Sequence, residues 1–330
     1  MKIIFLSVLI ISLISHARLA AAAIAEAVPG YPAEKKIAAG PMEGEGASKN
    51  MVGLRIADPA GIKIQWDVPY LPTNRTEKCD LYLPASSPAG KLRPALVIIH
   101  GGGFNDGDKA RGREINFCTN LAANGYVCMS INYKLSRPNA RQIPTWPQSV
   151  YDAKTAVRWL RQNSERLQID PSHIGAMGGS AGGNLAAMLA TTGPTDGLEP
   201  EGADTNFSSR VSCAVDFYGA VKLMEYHDMK MFSKSRTEAP ELYEKGSPVN
   251  YVNRGDAPLL IAHGTLDTVV PIHQSESLAA AYKKAGVPCE FVIVPGAVHT
   301  FNLEPSQKDL RPIVMAFLAQ HLTPEAKAAP

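Results

Sequence analysis

His173-Ile-Gly-Ala-Met-Gly-Gly-Ser180-Ala-Gly-Gly-Asn-Leu-Ala-Ala-Met-Leu-Ala-Thr191 joins a short apolar run to an Ala/Leu-rich one through the pattern Gly178-x-Ser180-x-Gly182. The pattern predicts a strand over His173–Met177, a sharp turn at Ser180, and a helix over Ala181–Thr191. Small residues on both sides of Ser180 let the two elements approach closely, and the turn lifts the serine hydroxyl out of the backbone. The positive end of the following helix points back at that hydroxyl and favours a developing negative charge. The competing reading is a phosphate-binding loop, but neither Gly-Lys-Ser/Thr nor Gly-x-Gly-x-x-Gly opens the helix. Ser180 is the candidate nucleophile.

Outward from this turn, strands and helices alternate. Ala95–Ile99 is an uninterrupted apolar run suited to a strand buried on both faces. His100-Gly101-Gly102-Gly103-Phe104 follows it directly, and three successive glycines turn backbone N–H groups toward a ligand. The N–H groups of Gly102, Gly103 and Ala181 are the candidate oxyanion donors. His100 itself reads as structural. Further strands are expected at Asp80–Leu83, Tyr126–Asn132, Val211–Phe217, Leu259–Ala262 and Glu290–Val294. Helices are expected near Arg113–Asn124, Gln148–Gln162, Ile272–Ala285 and Lys308–Leu322. Pro59-Ala60-Gly61 predicts a hairpin joining Gly53–Ala57 to Ile62–Val68. The alternation implies a mostly parallel central sheet with an antiparallel N-terminal edge and helices on both faces. Residues 221–250 interrupt it as a polar, Met-rich and aromatic insertion, expected over the sheet edge.

In a serine site of this kind the chain order is nucleophile, acid, base. Of the histidines after Ser180, His299 lies between the last strand and the last helix, where an imidazole reaches Ser180 unobstructed. His263 ends a strand, and His273 and His321 sit on helices, which gives them core or surface roles. His227 in the insertion is a minor candidate for substrate contact. Asp267 follows the Leu259–Ala262 strand, placed to accept from His299 Nδ1–H and fix the tautomer. Its rival Asp256 precedes that strand and so lies at the other end of the sheet. Asp152, on a helix, reads as structural. Phe104, Tyr133, Met224, Tyr226, Met231 and Phe232 are candidates for lining an acyl or aryl pocket. For the aromatic and Met residues of the insertion, packing onto the sheet is an equal alternative.

The whole chain sets bounds on function. Of 330 residues 45% are hydrophobic, which is ample for a large core. Lys+Arg number 33 against 31 Asp+Glu, so there is no basic footprint for nucleic acid. Lys2 and the apolar run Ile3–Ile14, followed by Ser15-His16-Ala17 and the Ala-rich residues 20–25, predict a signal peptide over 1–25. Residues 26–50 read as a flexible lead-in and 51–324 as a single domain. A secreted or periplasmic protein with no membrane span after processing is expected. The five cysteines form no Cys-x-x-Cys pair, and one bridge, with Cys79 and Cys118 as a candidate pair, is compatible with export. The histidines are scattered, so no metal site is expected. The sequence does not specify an oligomeric state.

Together these segments resemble the α/β-hydrolase superfamily. The resemblance is closest to secreted bacterial esterases related to feruloyl and acetyl-xylan esterases, and next to the hormone-sensitive-lipase group. It runs from Asp80-Leu-Tyr-Leu-Pro84 through His100–Phe104, Asn132-Tyr133, Asp170-Pro171, Gly178–Gly183 and His263–Pro271 to Gly296–Phe301. Such proteins often carry Asp at the position of Thr265 and Gly at those of Val298 and Thr300, a difference that bears on the pocket rim and leaves the triad intact. The resemblance implies the α/β-hydrolase fold and cofactor-free hydrolysis of a small-molecule or polysaccharide-linked carboxylic ester. The alternatives are a peptidase or amidase of the same fold, or a non-catalytic ligand-binding relative.

Overall fold

Alternating side chains of one strand divide the core. In β3 (Arg93–Ile99), Ala95, Val97 and Ile99 enter one apolar cluster, while Leu96 and Ile98 enter another. A strand with period 2 and no polar face must be covered on both sides. The computed structural model, which describes residues 55–85, 91–136, 144–201 and 205–322, shows that covering. The remaining strands are β1 (Ile62–Val68), β2 (Cys79–Pro84), β4 (Val127–Ile131), β5 (Ile169–Gly179), β6 (Ala214–Phe217), β7 (Leu259–Gly264) and β8 (Cys289–Val294). Their order across the sheet is β1-β2-β4-β3-β5-β6-β7-β8. β1–β2 and β2–β4 pair antiparallel and the rest pair parallel. This is the α/β-hydrolase fold expected from the sequence.

The helices are α1 (Gly112–Ala123), α2 (Gln148–Gln162), α3 (Ser164–Leu167), α4 (Ala181–Thr191), α5 (Pro240–Lys245), α6 (His273–Ala285) and α7 (Arg311–Leu322). Val150, Ala153, Val157 and Leu160 bury the predicted stripe of α2 on one face of the sheet, together with α4 and α6. Phe117 and Leu121 of α1 and Val314, Phe317 and Leu318 of α7 cover the other face. α1 stops just before Gly125, whose φ of 91° is cheap only for glycine. No helix among the described residues is long and apolar enough to cross a membrane.

Four expectations change. β1 pairs with β2, Ile62 opposite Pro84, and described residues 55–57 form no strand. Gly53 and Leu54 of the expected hairpin lie outside the described residues, as do 1–25 and 26–50. The Val211–Phe217 strand begins only at Ala214, because the chain bends at Ser212, whose N–H and hydroxyl are tied to Ile174 O and Ser172 O. The insertion does not lie over a sheet edge. Val221 and Lys222 N–H donate to Gln274 of α6, and Asn184 of α4 donates to Ala220 O and Gly246 O. It therefore caps the helices that follow β5 and β7, at the carboxyl ends of those strands. Finally, all five cysteines are free. Cys79 and Cys118 belong to the clusters on opposite faces of the sheet, so the sheet itself separates the pair.

Candidate active site

Strand register brings the site together. Ile99 lies opposite Gly178, Gly179 opposite Phe217, Phe217 opposite Ala262, and Gly264 opposite Val294. The loops leaving β3, β5, β7 and β8 therefore emerge side by side at the carboxyl edge, the usual place for a ligand in such sheets.

Ser180 stands between β5 and α4 at φ 59°, ψ −121°, a left-handed conformation that is unusual for a non-glycine residue. Its N–H donates to Phe217 O at 2.8 Å, and its carbonyl accepts from Asn184 N–H at 3.0 Å. The turn tolerates this because its neighbours are glycines. A Cβ on Gly182 would stand 2.0 Å from Ile99 O, and one on Gly178 2.4 Å from Gly182 O. Three elements thus meet at van der Waals distance only where no side chain exists.

The β3 loop packs on this turn, with the Gly101 Cα facing Gly179 O. Gly102, Gly103 and Phe104 all have positive φ, and Gly102 O accepts from the N–H groups of Asn105 and Asp106. Gly103 and Ala181 border the same cavity as Ser180, and Ala181 opens α4, so its N–H has no acceptor within the helix. Gly102 shapes the turn and is not among the cavity walls. His100 is structural, as expected. Its ring stacks on Tyr133 at 4.4 Å, and burial pushes its pKa down to about 4, so it carries no charge near neutrality.

His299 Nε2 lies 3.0 Å from Ser180 Oγ, and His299 Nδ1 lies 2.7 Å from Asp267 Oδ2. The serine hydroxyl donates to the first nitrogen, and the second donates to the carboxylate. Asp267 Oδ1 accepts from the Val269 and Val270 N–H groups at 2.9 and 2.8 Å. His263 Nε2 is 3.3 Å from Oδ2. Burial alone would raise the Asp267 carboxyl, but the hydrogen bonds from His263, His299 and Val270 outweigh it and hold the group well below the ordinary carboxylate range. Tyr218, just past β6, sets its ring 4.9 Å from that of His299, and its hydroxyl is held by Arg113 and donates to Phe301 O. Asp256 accepts from Asn253 N–H ahead of β7, away from this cluster. Asp152 is spent on Arg75, Gln148 and the Lys134 N–H.

A cavity of about 310 Å³ opens on Ser180, walled by Gly103, Phe104, Asn105, Ala220 and Val270, with Tyr226 to Lys230 of the insertion opposite. Phe104 and Tyr226 stand where the sequence put them. Tyr133, Met224, Met231 and Phe232 do not line this cavity. Tyr133 is buried under His100, and Met224 packs against the apolar core. Met231 is buried, and Phe232 packs between Trp146 and Tyr243. Asp228 and Lys230 carry no motif of their own, and only the fold, which lays the insertion across the strand ends, brings them to Ser180, whereas Asn105 and Val270 come with the loops after β3 and β7.

The BD-FAE family model matches residues 79–282. The esterase LipQ of Mycobacterium tuberculosis is 32% identical over 250 residues, covering 72% of this chain and 57% of LipQ. The chain spans a little over half the length of the curated mycobacterial relatives it matches. Among solved structures, a truncated carbohydrate esterase from gut microbiota superposes with a TM-score of 0.69 at 26% identity, covering 79% of this chain and 97% of that one. Esterase 2 of Thermogutta terrifontis, phosphorylated by paraoxon, superposes with a TM-score of 0.65 at 30% identity, covering 80% and 96%.

Proposed function

The chain belongs to the BD-FAE family, and from that premise we propose that it is a serine esterase that hydrolyses carboxylic esters through an acyl-enzyme on Ser180. The observation that carries this reading is the unbroken Ser180–His299–Asp267 chain of hydrogen bonds at the mouth of the cavity. His299 Nε2 takes the proton as Ser180 Oγ attacks the ester carbonyl. The oxygen of the tetrahedral intermediate sits against the N–H groups of Gly103 and Ala181. His299 returns the proton to the leaving alcohol as the C–O bond breaks. Water then repeats the sequence on the acyl-enzyme and releases the acid. Asp267 remains ionised throughout and stabilises the imidazolium.

The substrates we assign are short acyl or aryl esters, including acetyl or feruloyl groups carried on polysaccharide. A cavity of about 310 Å³ is at the small end of ligand pockets. Its wall of Phe104, Tyr226 and Met229 suits a compact apolar acyl or aryl group, and Asn105, Asp228 and Lys230 offer polar contacts to a hydroxylated alcohol. Export to the periplasm or medium is part of the same proposal and is supported by the leader read at residues 1–25. The test is a panel of p-nitrophenyl esters of increasing acyl length with methyl ferulate and acetylated xylan, run beside labelling with a fluorophosphonate. Turnover of short or aryl esters with the label on Ser180 supports the reading. A labelled serine elsewhere, or hydrolysis of arylamides in preference to esters, overturns it.

A further inference from the structure

His263 is the last residue of β7 but one, wholly buried, and neither of its ring nitrogens faces Ser180. Its Nε2 lies 2.8 Å from Val270 O and 3.3 Å from Asp267 Oδ2, and its Nδ1 lies 2.7 Å from the Ser275 hydroxyl in the first turn of α6. Both neighbours of Nε2 are acceptors only, so the proton belongs on Nε2, and Nδ1 is left to accept from Ser275 Oγ–H. The tautomer is thereby set by two elements outside the triad.

We propose that His263 is a positioning residue for the reaction, its one Nε2–H shared between Val270 O and the carboxylate of Asp267 so that the acid stays aligned with His299, while Ser275 fixes the tautomer that makes this donation possible. The inference rests on the esterase reading above. The loop of residues 264–270 folds back over the end of its own strand, with Leu266 N–H on Ala297 O and Asp267 N–H facing Gly264 O. Oδ1 of Asp267 is held by that loop alone, through Val269 and Val270. Oδ2 has two partners, His299 on a neighbouring loop and His263 on the rigid strand beneath. His263 also ties down Val270 O, so it braces both the acid and the turn that carries it. An apolar residue of similar size fills the same space but supplies neither bond.

Other groups also bear on this pair. Asp216 comes from β6, the Tyr218 ring stands 6.4 Å from that of His263 with Arg113 behind it, and Tyr226 of the insertion donates to Val269 O. His299 completes the surroundings. With Asp216, Tyr218, Arg113 and Tyr226 kept, a change at His263 removes only its own contacts with Asp267 and Val270 and with Ser275.

The experiment measures p-nitrophenyl acetate hydrolysis against pH for wild type, His263→Leu, His263→Gln and Ser275→Ala, with thermal melts to establish folding. In His263→Leu, kcat is expected to fall about tenfold with KM within about twofold, because alignment and not substrate binding is lost. The acid limb of kcat/KM is expected to move to higher pH, since a carboxylate short of one donor holds the imidazolium more tightly. His263→Gln, which keeps an N–H near the Nε2 position, recovers most of both effects, and Ser275→Ala gives a smaller change in the same direction. Histidine-selective 15N spectra of the wild-type protein are expected to show His263 protonated on Nε2.

A folded His263→Leu with wild-type kcat and an unmoved limb overturns the proposal. Equal losses in the Leu and Gln variants with no shift of the limb also overturn it, because they mark a filler. Should the Leu variant fail to fold, the Gln and Ser275 variants decide, and a wild-type His263 protonated on Nδ1 refutes the proposal by itself. A wild-type protein that neither turns over the ester nor labels at Ser180 refutes the esterase reading instead, and the 15N spectra still decide the tautomer.

Discussion

His299 Nε2 stands 3.0 Å from Ser180 Oγ although 119 residues separate the two in the chain. The contact exists because β5 and β8, with β6 and β7 between them, run parallel and end at the same edge of the sheet. Ser180→Ala removes the attacking oxygen from this pair and changes little else. We expect turnover to fall at least about 10³-fold with an unchanged melting temperature. Stopped assays with p-nitrophenyl acetate and a thermal melt measure both, and near-wild-type activity in a folded variant would remove Ser180 from the mechanism.

Asp267 and Asp256 flank the same strand at opposite ends, and only Asp267 touches an imidazole. Asp267→Asn preserves shape while removing the charge that stabilises the imidazolium and dictates its tautomer. A loss of about 10²- to 10⁴-fold in kcat is expected, in line with the equivalent change in serine-protease triads. Asp256→Asn is expected to stay within about twofold, as a carboxylate distant from the reacting atoms. The reverse ranking would transfer the acid role to Asp256.

Gly182 faces Ile99 O so closely that a methyl group there would sit 2.0 Å from it. The obstacle is backbone in a central strand, which cannot rotate away. Gly182→Ala is expected to cost about 3 kcal/mol or more and to lower activity by displacing Ser180. Gly255→Ala, whose methyl meets nothing closer than 3.4 Å, serves as the comparison and is expected to lie within about 0.5 kcal/mol of wild type. Denaturant titrations of the two variants read the difference directly.

The legible parts of this protein are those where chemistry is local. Gly178–Gly182 carries its own turn, His100–Gly103 its own loop, and alternation between buried strands and amphipathic helices dictates the sheet, so Ser180, Asp267 and His299 could be chosen by position relative to strand ends. The pocket was less legible because apolar character does not say which way a side chain points. Met231 and Phe232 read the same as Tyr226 in the sequence, yet the first two turn into the core and Tyr226 turns to the cavity. The partner of β1 was equally hidden, since Pro59-Ala60-Gly61 marks a turn but the register is decided by β2, where Tyr82 packs across from Ile64. Position at a strand end gives His263 a core or surface role, and its contact with Asp267 depends on a loop that folds back over its strand, which no spacing in the sequence announces.

Asp216 is wholly buried on β6, opposite Gly178. Its Oδ1 accepts from Gly219 N–H, and Oδ2 has no hydrogen-bond partner among the described residues. Burial pushes its pKa up to about 7, with the Gly219 bond opposing that shift. An acid whose pKa is raised by folding binds its proton more tightly in the folded state. Its contribution to stability is therefore complete below the unfolded value of 3.8 and is lost as pH rises through about 7. Asn at this position keeps the acceptor for Gly219 and carries no charge at any pH. The melting temperature of Asp216→Asn relative to wild type is accordingly expected to rise between pH 5 and pH 9, by a few degrees for a shift worth on the order of a few kcal/mol. Paired melts at matched ionic strength isolate this group, because every other titration is common to both proteins. A difference in melting temperature that stays constant across that range would mean that Asp216 does not change its protonation there.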